Sequence, residues 1–196
     1  MWRWLRERWR RWVDAPAGAA VAGGDAERKP AQSESAAPAP ARARPRLHVA
    51  IDSSTRTWLF RVAREREAIS EFCAYVAQRL PPDYAGPEVL HAFQIAYDEL
   101  LTNVVMHADG PREENIEVLL KRDPGMVSSI IRYRASPYDP TARAAPDTEA
   151  GIAERAIGGL GVHLVKNLMD EFAHRHADGH NVITLRKRCG SEGAVP

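Results

Sequence analysis

The chain has 196 residues, 27 Lys and Arg against 26 Asp and Glu, a formal net charge of +1 and two cysteines. That length holds one ordinary domain with a real core plus extra segments. A charge this balanced gives no electrostatic ground for direct nucleic-acid binding. Two cysteines make no disulfide framework, so a reducing, cytoplasmic setting is expected. No apolar run approaches the roughly 20 residues that a membrane-spanning helix needs, and the N-terminus lacks the apolar core of a signal peptide.

Residues 1–13, MWRWLRERWRRWV, hold four of the five tryptophans. On a helix, Trp2, Leu5, Trp9, Trp12 and Val13 share one face and Arg3, Arg6 and Arg10 the other, with Trp4 on the polar side. This is the composition of an interfacial anchor or a docking peptide, so peripheral membrane contact is one expectation. A cationic, unstructured tail is the plainer alternative, because an isolated helix this short is marginal in water. Residues 14–45 are rich in Ala, Pro, Gly and Ser. They cannot bury enough apolar surface to offset chain entropy and read as a disordered linker of roughly 30 Å span.

The folded domain is expected over residues 46–190. RLHVAI alternates and reads as a strand. In REAISEFCAYVAQRL, Ile69, Phe72, Cys73, Val76 and Leu80 fall at helical spacing, and Pro81 and Pro82 end that helix. A second helix runs from about Pro87 to Ala108, with Val89, Leu90, Phe93, Leu100, Leu101 and Val104 as its apolar stripe. NIEVLLKR and MVSSIIRYR are strands joined by the turn Asp123-Pro124-Gly125. Residues 134–157 read as a long polar loop, of the kind that serves as a lid or binding loop. LGVHLVKNLMDEF is a helix opened by glycines, and EFAHRHADGHNVITLRKR a hairpin turning at Asp178-Gly179. The class is therefore α+β, a two-layer sandwich with helices on one face of a mixed sheet.

Two features carry chemistry. In YDELLTNVVMHA, residues 97–108, the second helix presents Glu99, Asn103 and His107 four residues apart, on one face of an otherwise apolar run. GGLG, residues 158–161, immediately precedes a helix. Glycines there let backbone approach an anion, and free amides at a helix start favour phosphate. An amide oxygen can complete the oxygen shell of Mg²⁺. Each feature alone is weak: a glycine pair is more often a cap, and Glu-x-x-x-Asn arises easily by chance.

In this order and spacing they resemble the GHKL ATPases. YDELLTNVVMHA is similar to that family's N box. AERAIGGLGVHLVKNLMDEFAHRHADGHNVITLRKR is similar to its second glycine box, final helix and hairpin. SPYDP, residues 136–140, resembles the Pro-Phe-Asp-Pro of the anti-sigma-factor serine/threonine kinases, the RsbW-like partner-switching branch. The resemblance covers roughly residues 46–188. It implies a GHKL-type sandwich holding ATP and Mg²⁺. Glu99 would be the catalytic residue, a general base or water-positioning acid, and Asn103 the Mg²⁺ ligand. Gly158, Gly159, Leu160 and Gly161 would close on the phosphates. His107 matches a histidine common at its place in the family, although helix-end packing explains it equally well.

The implied activity is transfer of phosphate to a serine or threonine of a STAS-type anti-anti-sigma partner. The implied partners are that protein and a sigma factor, with a homodimer common among relatives. The first glycine box departs from the family's Asp-x-Gly-x-Pro-Phe/Tyr-Asp-Pro. The chain has Tyr133 for the Asp that accepts the adenine amino group, and Ala135 for the Gly. A phenol is not isosteric with a carboxylate, though it can stack on a base, and losing one buried hydrogen bond costs about 1–3 kcal/mol, up to roughly a hundredfold in affinity. The alternative function is thus a catalytically dead binding module that sequesters a sigma factor or other regulator without nucleotide. His174, His176 and His180 make a metal site conceivable, with a polar surface hairpin the plainer reading. Lys166 and Arg155 flank the glycine box and read as solvated charges.

Overall fold

A computed structural model describes residues 45–79, 85–142 and 160–189. The expected helix at 1–13 and residues 14–44 of the expected linker lie outside them. The chain enters the fold as a hairpin of β1, Leu47–Asp52, and β2, Thr57–Val62. Its turn is set by the Asp52 carboxylate, which accepts the amide and hydroxyl of Ser54 at 3.1 and 2.6 Å. That side-chain-to-backbone bonding competes with extended structure and reverses the chain. The sequence reading anticipated β1 and passed over β2, although Trp58, Phe60 and Val62 alternate inward along it.

Helix α1, Arg66–Arg79, buries Ala68, Ile69, Phe72 and Val76. Cys73, expected in this stripe, is only partly buried, and its thiol is pushed up to about 11 by burial, with Asp98 adding to the shift. Helix α2, Pro87–His107, starts on a proline, whose missing N–H costs nothing in the first turn, and ends with the Ala108 amide donating to the Val104 carbonyl at 3.1 Å. Its apolar stripe is as anticipated and is widened by Ala92, Ala96, Tyr97 and Val105, while Leu90 stays half-buried.

Strands β3, Ile116–Asp123, and β4, Met126–Arg134, meet at a turn in which Gly125 takes φ +74°. A single 3₁₀ turn, Pro140–Ala142, follows. Helix α3, Leu160–Leu168, leads into β5, Glu171–Ala177, and β6, His180–Arg188. Asp178 and Gly179 both adopt positive φ, the conformation that a two-residue hairpin turn demands.

The six strands lie in the order β1-β2-β3-β4-β6-β5. Every pairing is antiparallel, so the sheet is not mixed, while the two-layer α+β class holds. β4 and β6 run antiparallel because the chain between them passes through α3 and then takes the edge position as β5 before turning inward. The core fills the space between one sheet face and the helices, with Phe60, Phe72, Phe93 and Tyr97 at its centre. Phe72 stands edge-on to Phe60 and Tyr97, at 4.9 and 5.0 Å between ring centroids. Fully burying each such ring is worth about 1.5–3 kcal/mol. The Tyr97 hydroxyl donates to Ser129 Oγ at 2.8 Å, which satisfies the polar end of a fully buried ring and ties α2 to β4.

Candidate nucleotide site

The apolar stripe of α2 fixes its rotation against the sheet. Glu99 and Asn103 then fall at the edge of the buried face, half-buried, with His107 exposed one turn on. Asn103 Nδ2 donates to Glu99 Oε1 at 2.7 Å. A carboxylate only accepts, so this bond fixes the amide's orientation and turns Asn103 Oδ1 away from Glu99. Gly161, in the first turn of α3, packs directly on the Glu99 carboxylate, and a Cβ there would overlap it. The acid, the amide and one glycine of the second glycine box therefore converge. Gly158, Gly159 and Arg155 lie outside the described residues, and Leu160 opens α3. Lys166 lies on α3, half-buried.

Asn103 and His107 also line a cavity of about 270 Å³. Its walls are apolar where Leu100 and Val104 face Ile183, and its far side is Tyr133 with the loop 135–140. Tyr133 is 3 % exposed, and burial pushes its phenol up to about 12. Ala135 keeps a negative φ, since the positive-φ non-glycine residues among those described are Arg56 and Asp178. The loop therefore turns without a left-handed residue at this point, and alanine fits where the family pattern has glycine.

Side chains far away in sequence build that loop. Asn181, fully buried on β6, accepts the Tyr138 amide at 3.0 Å and donates to the Ser136 carbonyl at 2.9 Å. The His174 ring Nε2 lies 2.8 Å from the same Asn181 oxygen, which makes Nε2 the protonated nitrogen. His174 Nδ1 faces Asp139 at 3.6 Å, and His176 Nε2 meets the Ala135 carbonyl at 3.1 Å. These two histidines are thus spent on the loop rather than turned toward a common metal. Asp109 accepts the Ser136 amide at 2.8 Å; the Ser136 hydroxyl and amide hold its carboxyl below the usual range. Arg64, 6 % exposed, donates to the carbonyls of Val104, Ala108, Pro111 and Arg134, joining the end of α2 to the end of β4. Asn181 and Arg64 were not anticipated. The one local sign of Asn181 is an amide beside the apolar strand run Val182-Ile183.

The residues present fit a Mg²⁺-bound nucleotide at one end. Asn103 lines the cavity with its amide nitrogen already bonded to Glu99, and Gly161 lets α3 pack on the Glu99 carboxylate where a Cβ would clash. At the base end they depart from the expected acid, with Tyr133 in its place.

A histidine kinase-like ATPase domain model matches residues 55–187. The chain is 30% identical over 96 residues to the serine/threonine-protein kinase BtrW of Bordetella bronchiseptica (strain ATCC BAA-588 / NCTC 13252 / RB50), covering 48% of this chain and 68% of that protein. The chain belongs to the histidine kinase-like ATPase (GHKL) family. It is also similar, at 17% identity and a TM-score of 0.46, to the solved RsbU and RsbW domains of Rv1364c from Mycobacterium tuberculosis, a match covering 67% of this chain and 32% of that one. The chain thus spans about a third of that protein's length. Among the described residues no helix is long and apolar enough to cross a membrane.

Proposed function

We propose that the chain is an ATP-dependent serine/threonine protein kinase of GHKL type, an anti-sigma-factor-like regulator whose substrate is a hydroxyl on a STAS-type anti-anti-sigma protein. One observation carries this reading: the Glu99–Asn103 pair, bonded at 2.7 Å, packs against Gly161 beside a cavity that Asn103 also lines. ATP with Mg²⁺, when bound, supplies the phosphoryl group and the charge neutralisation that its transfer needs. Glu99 spends Oε1 on Asn103 and keeps Oε2 to accept the proton of an incoming hydroxyl. Asn103, held by that same bond, offers Oδ1 as the metal-facing oxygen. His107 stands at the rim, and the loop 135–140 closes the opposite wall.

Tyr133 supports a second reading, in which the fold sequesters a sigma factor or another regulator without phosphoryl transfer. Calorimetric titration of Mg²⁺–ATP separates the two. The kinase reading expects binding, with Asn103→Ala abolishing its Mg²⁺-dependent part. No heat at millimolar ATP removes the kinase, and binding indifferent to Asn103→Ala removes the role assigned to that amide.

A further inference from the structure

We infer that the base end of this cavity accepts a purine without distinguishing an amino from a carbonyl group at the purine 6-position, so that ATP and its 6-oxo counterpart ITP bind with similar affinity. The inference rests on reading the cavity as the nucleotide site.

A pocket tells amino from carbonyl only through a polar group of fixed sense. A carboxylate accepts and never donates, so it receives an amino hydrogen and repels a carbonyl oxygen. A site built on such a fixed group rejects the wrong partner strongly, because its own buried polar atoms are then left unsatisfied. The polar groups around this cavity are otherwise. Asp109 is exposed and already accepts the Ser136 amide. Asn181 has its oxygen on the Tyr138 amide and His174, and its nitrogen on the Ser136 carbonyl. Asp139 is exposed and turned to its own turn, accepting from the Thr141 amide and hydroxyl at 2.8 and 2.6 Å. None of these fixed-sense groups is left facing the base.

What remains are hydroxyls that rotate: that of Tyr133, whose ring is buried in the cavity wall, and that of Tyr138 on the same wall. A hydroxyl has one donor and two acceptor lone pairs and rotates to suit. It accepts from an amino group as readily as it donates to a carbonyl. Because burial raises the Tyr133 phenol to about 12, it keeps its proton at neutral pH and with it both capacities. The surrounding wall of Leu100, Val104, Ala135, Pro140 and Ile183 is apolar and reads only shape.

Calorimetry on the full chain with Mg²⁺ and non-hydrolysable analogues of ATP and ITP tests this. The two dissociation constants are expected within about threefold of each other. Tyr133→Phe keeps the ring and the packing, which a thermal melt checks. It is expected to weaken both nucleotides alike, by about fivefold, the loss of one ordinary neutral hydrogen bond. A preference for one nucleotide of thirtyfold or more overturns the inference and leaves the site standing, as does a Tyr133→Phe effect confined to one of the two. If neither analogue binds, the nucleotide site itself is removed and the inference falls with it.

Discussion

Gly161 packs on the Glu99 that bonds Asn103 and Gly110 packs on Arg134 and Arg64; neither leaves room for a Cβ, yet what that Cβ would strike differs. At Gly161 it meets the carboxylate of Glu99, the far end of a flexible side chain. At Gly110 it meets the backbone carbonyl of Arg134 and a guanidinium nitrogen of Arg64 2.7 Å away. The end that holds Glu99 and Asn103 is therefore assembled from side chains that can shift, whereas the base end is locked by main chain.

Gly161→Ala breaks this comparison most sharply. The added methyl displaces the Glu99 carboxylate and with it the bond to Asn103, so phosphoryl transfer is expected to fall by about a hundredfold or more, the usual worth of a positioned general base. The melting temperature should stay near that of the parent, because a side-chain end can give way. A large loss of stability, or retained transfer in a kinase assay, would show that Glu99 is not held where it acts. Gly110→Ala should behave in the opposite sense. A Cβ against a fixed carbonyl forces the backbone apart and costs about 1–3 kcal/mol in denaturant unfolding. Nucleotide affinity is then expected to fall through the loosened loop, and an unchanged unfolding midpoint would refute the locked-backbone picture.

The smallest effect is one of pH. Burial holds the His180 imidazole below its ordinary 6.5, against the opposing pull of the Asp178 carbonyl and with Arg132 adding to it. The unfolded chain then binds the proton more readily than the folded one. Stability is full above pH 6.5 and declines as the pH falls below that value. His180→Asn should flatten the slope of melting temperature between pH 7.5 and 5.5, and an unaltered slope would show that the imidazole does not contribute.

The two ends also differed in how plainly the sequence announced them. The acid and amide were legible because four-residue spacing on a helix is local information, and Gly161 because it belongs to a continuous stretch similar to a known box. Helices α1 and α2 and the final hairpin were legible for the same reason, their periods and turn residues being carried within each segment. Strand β2 was passed over although its aromatic and β-branched residues alternate. The base-end scaffold was not legible at all. Asn181 acts on carbonyls and amides 43 to 46 residues away, and Arg64 reaches carbonyls 40 to 70 residues distant. Bonds to main chain leave no pattern in the residues at their other end. Alanine is accommodated at 135, where the resembling pattern has glycine, because the remote contacts set the loop's path without a left-handed residue there.

Arg64 belongs to neither of the boxes by which the family is recognised, yet it donates to four carbonyls and so ties the end of α2 to the end of β4. Inherited or engineered changes at this single position would therefore mimic a defect in ligand recognition in any screen scored by output alone. Surveys of natural variants in this family should weigh a lost arginine here as heavily as a lost residue of those boxes, since the damage reaches the cavity through the main chain rather than through contact with what it holds.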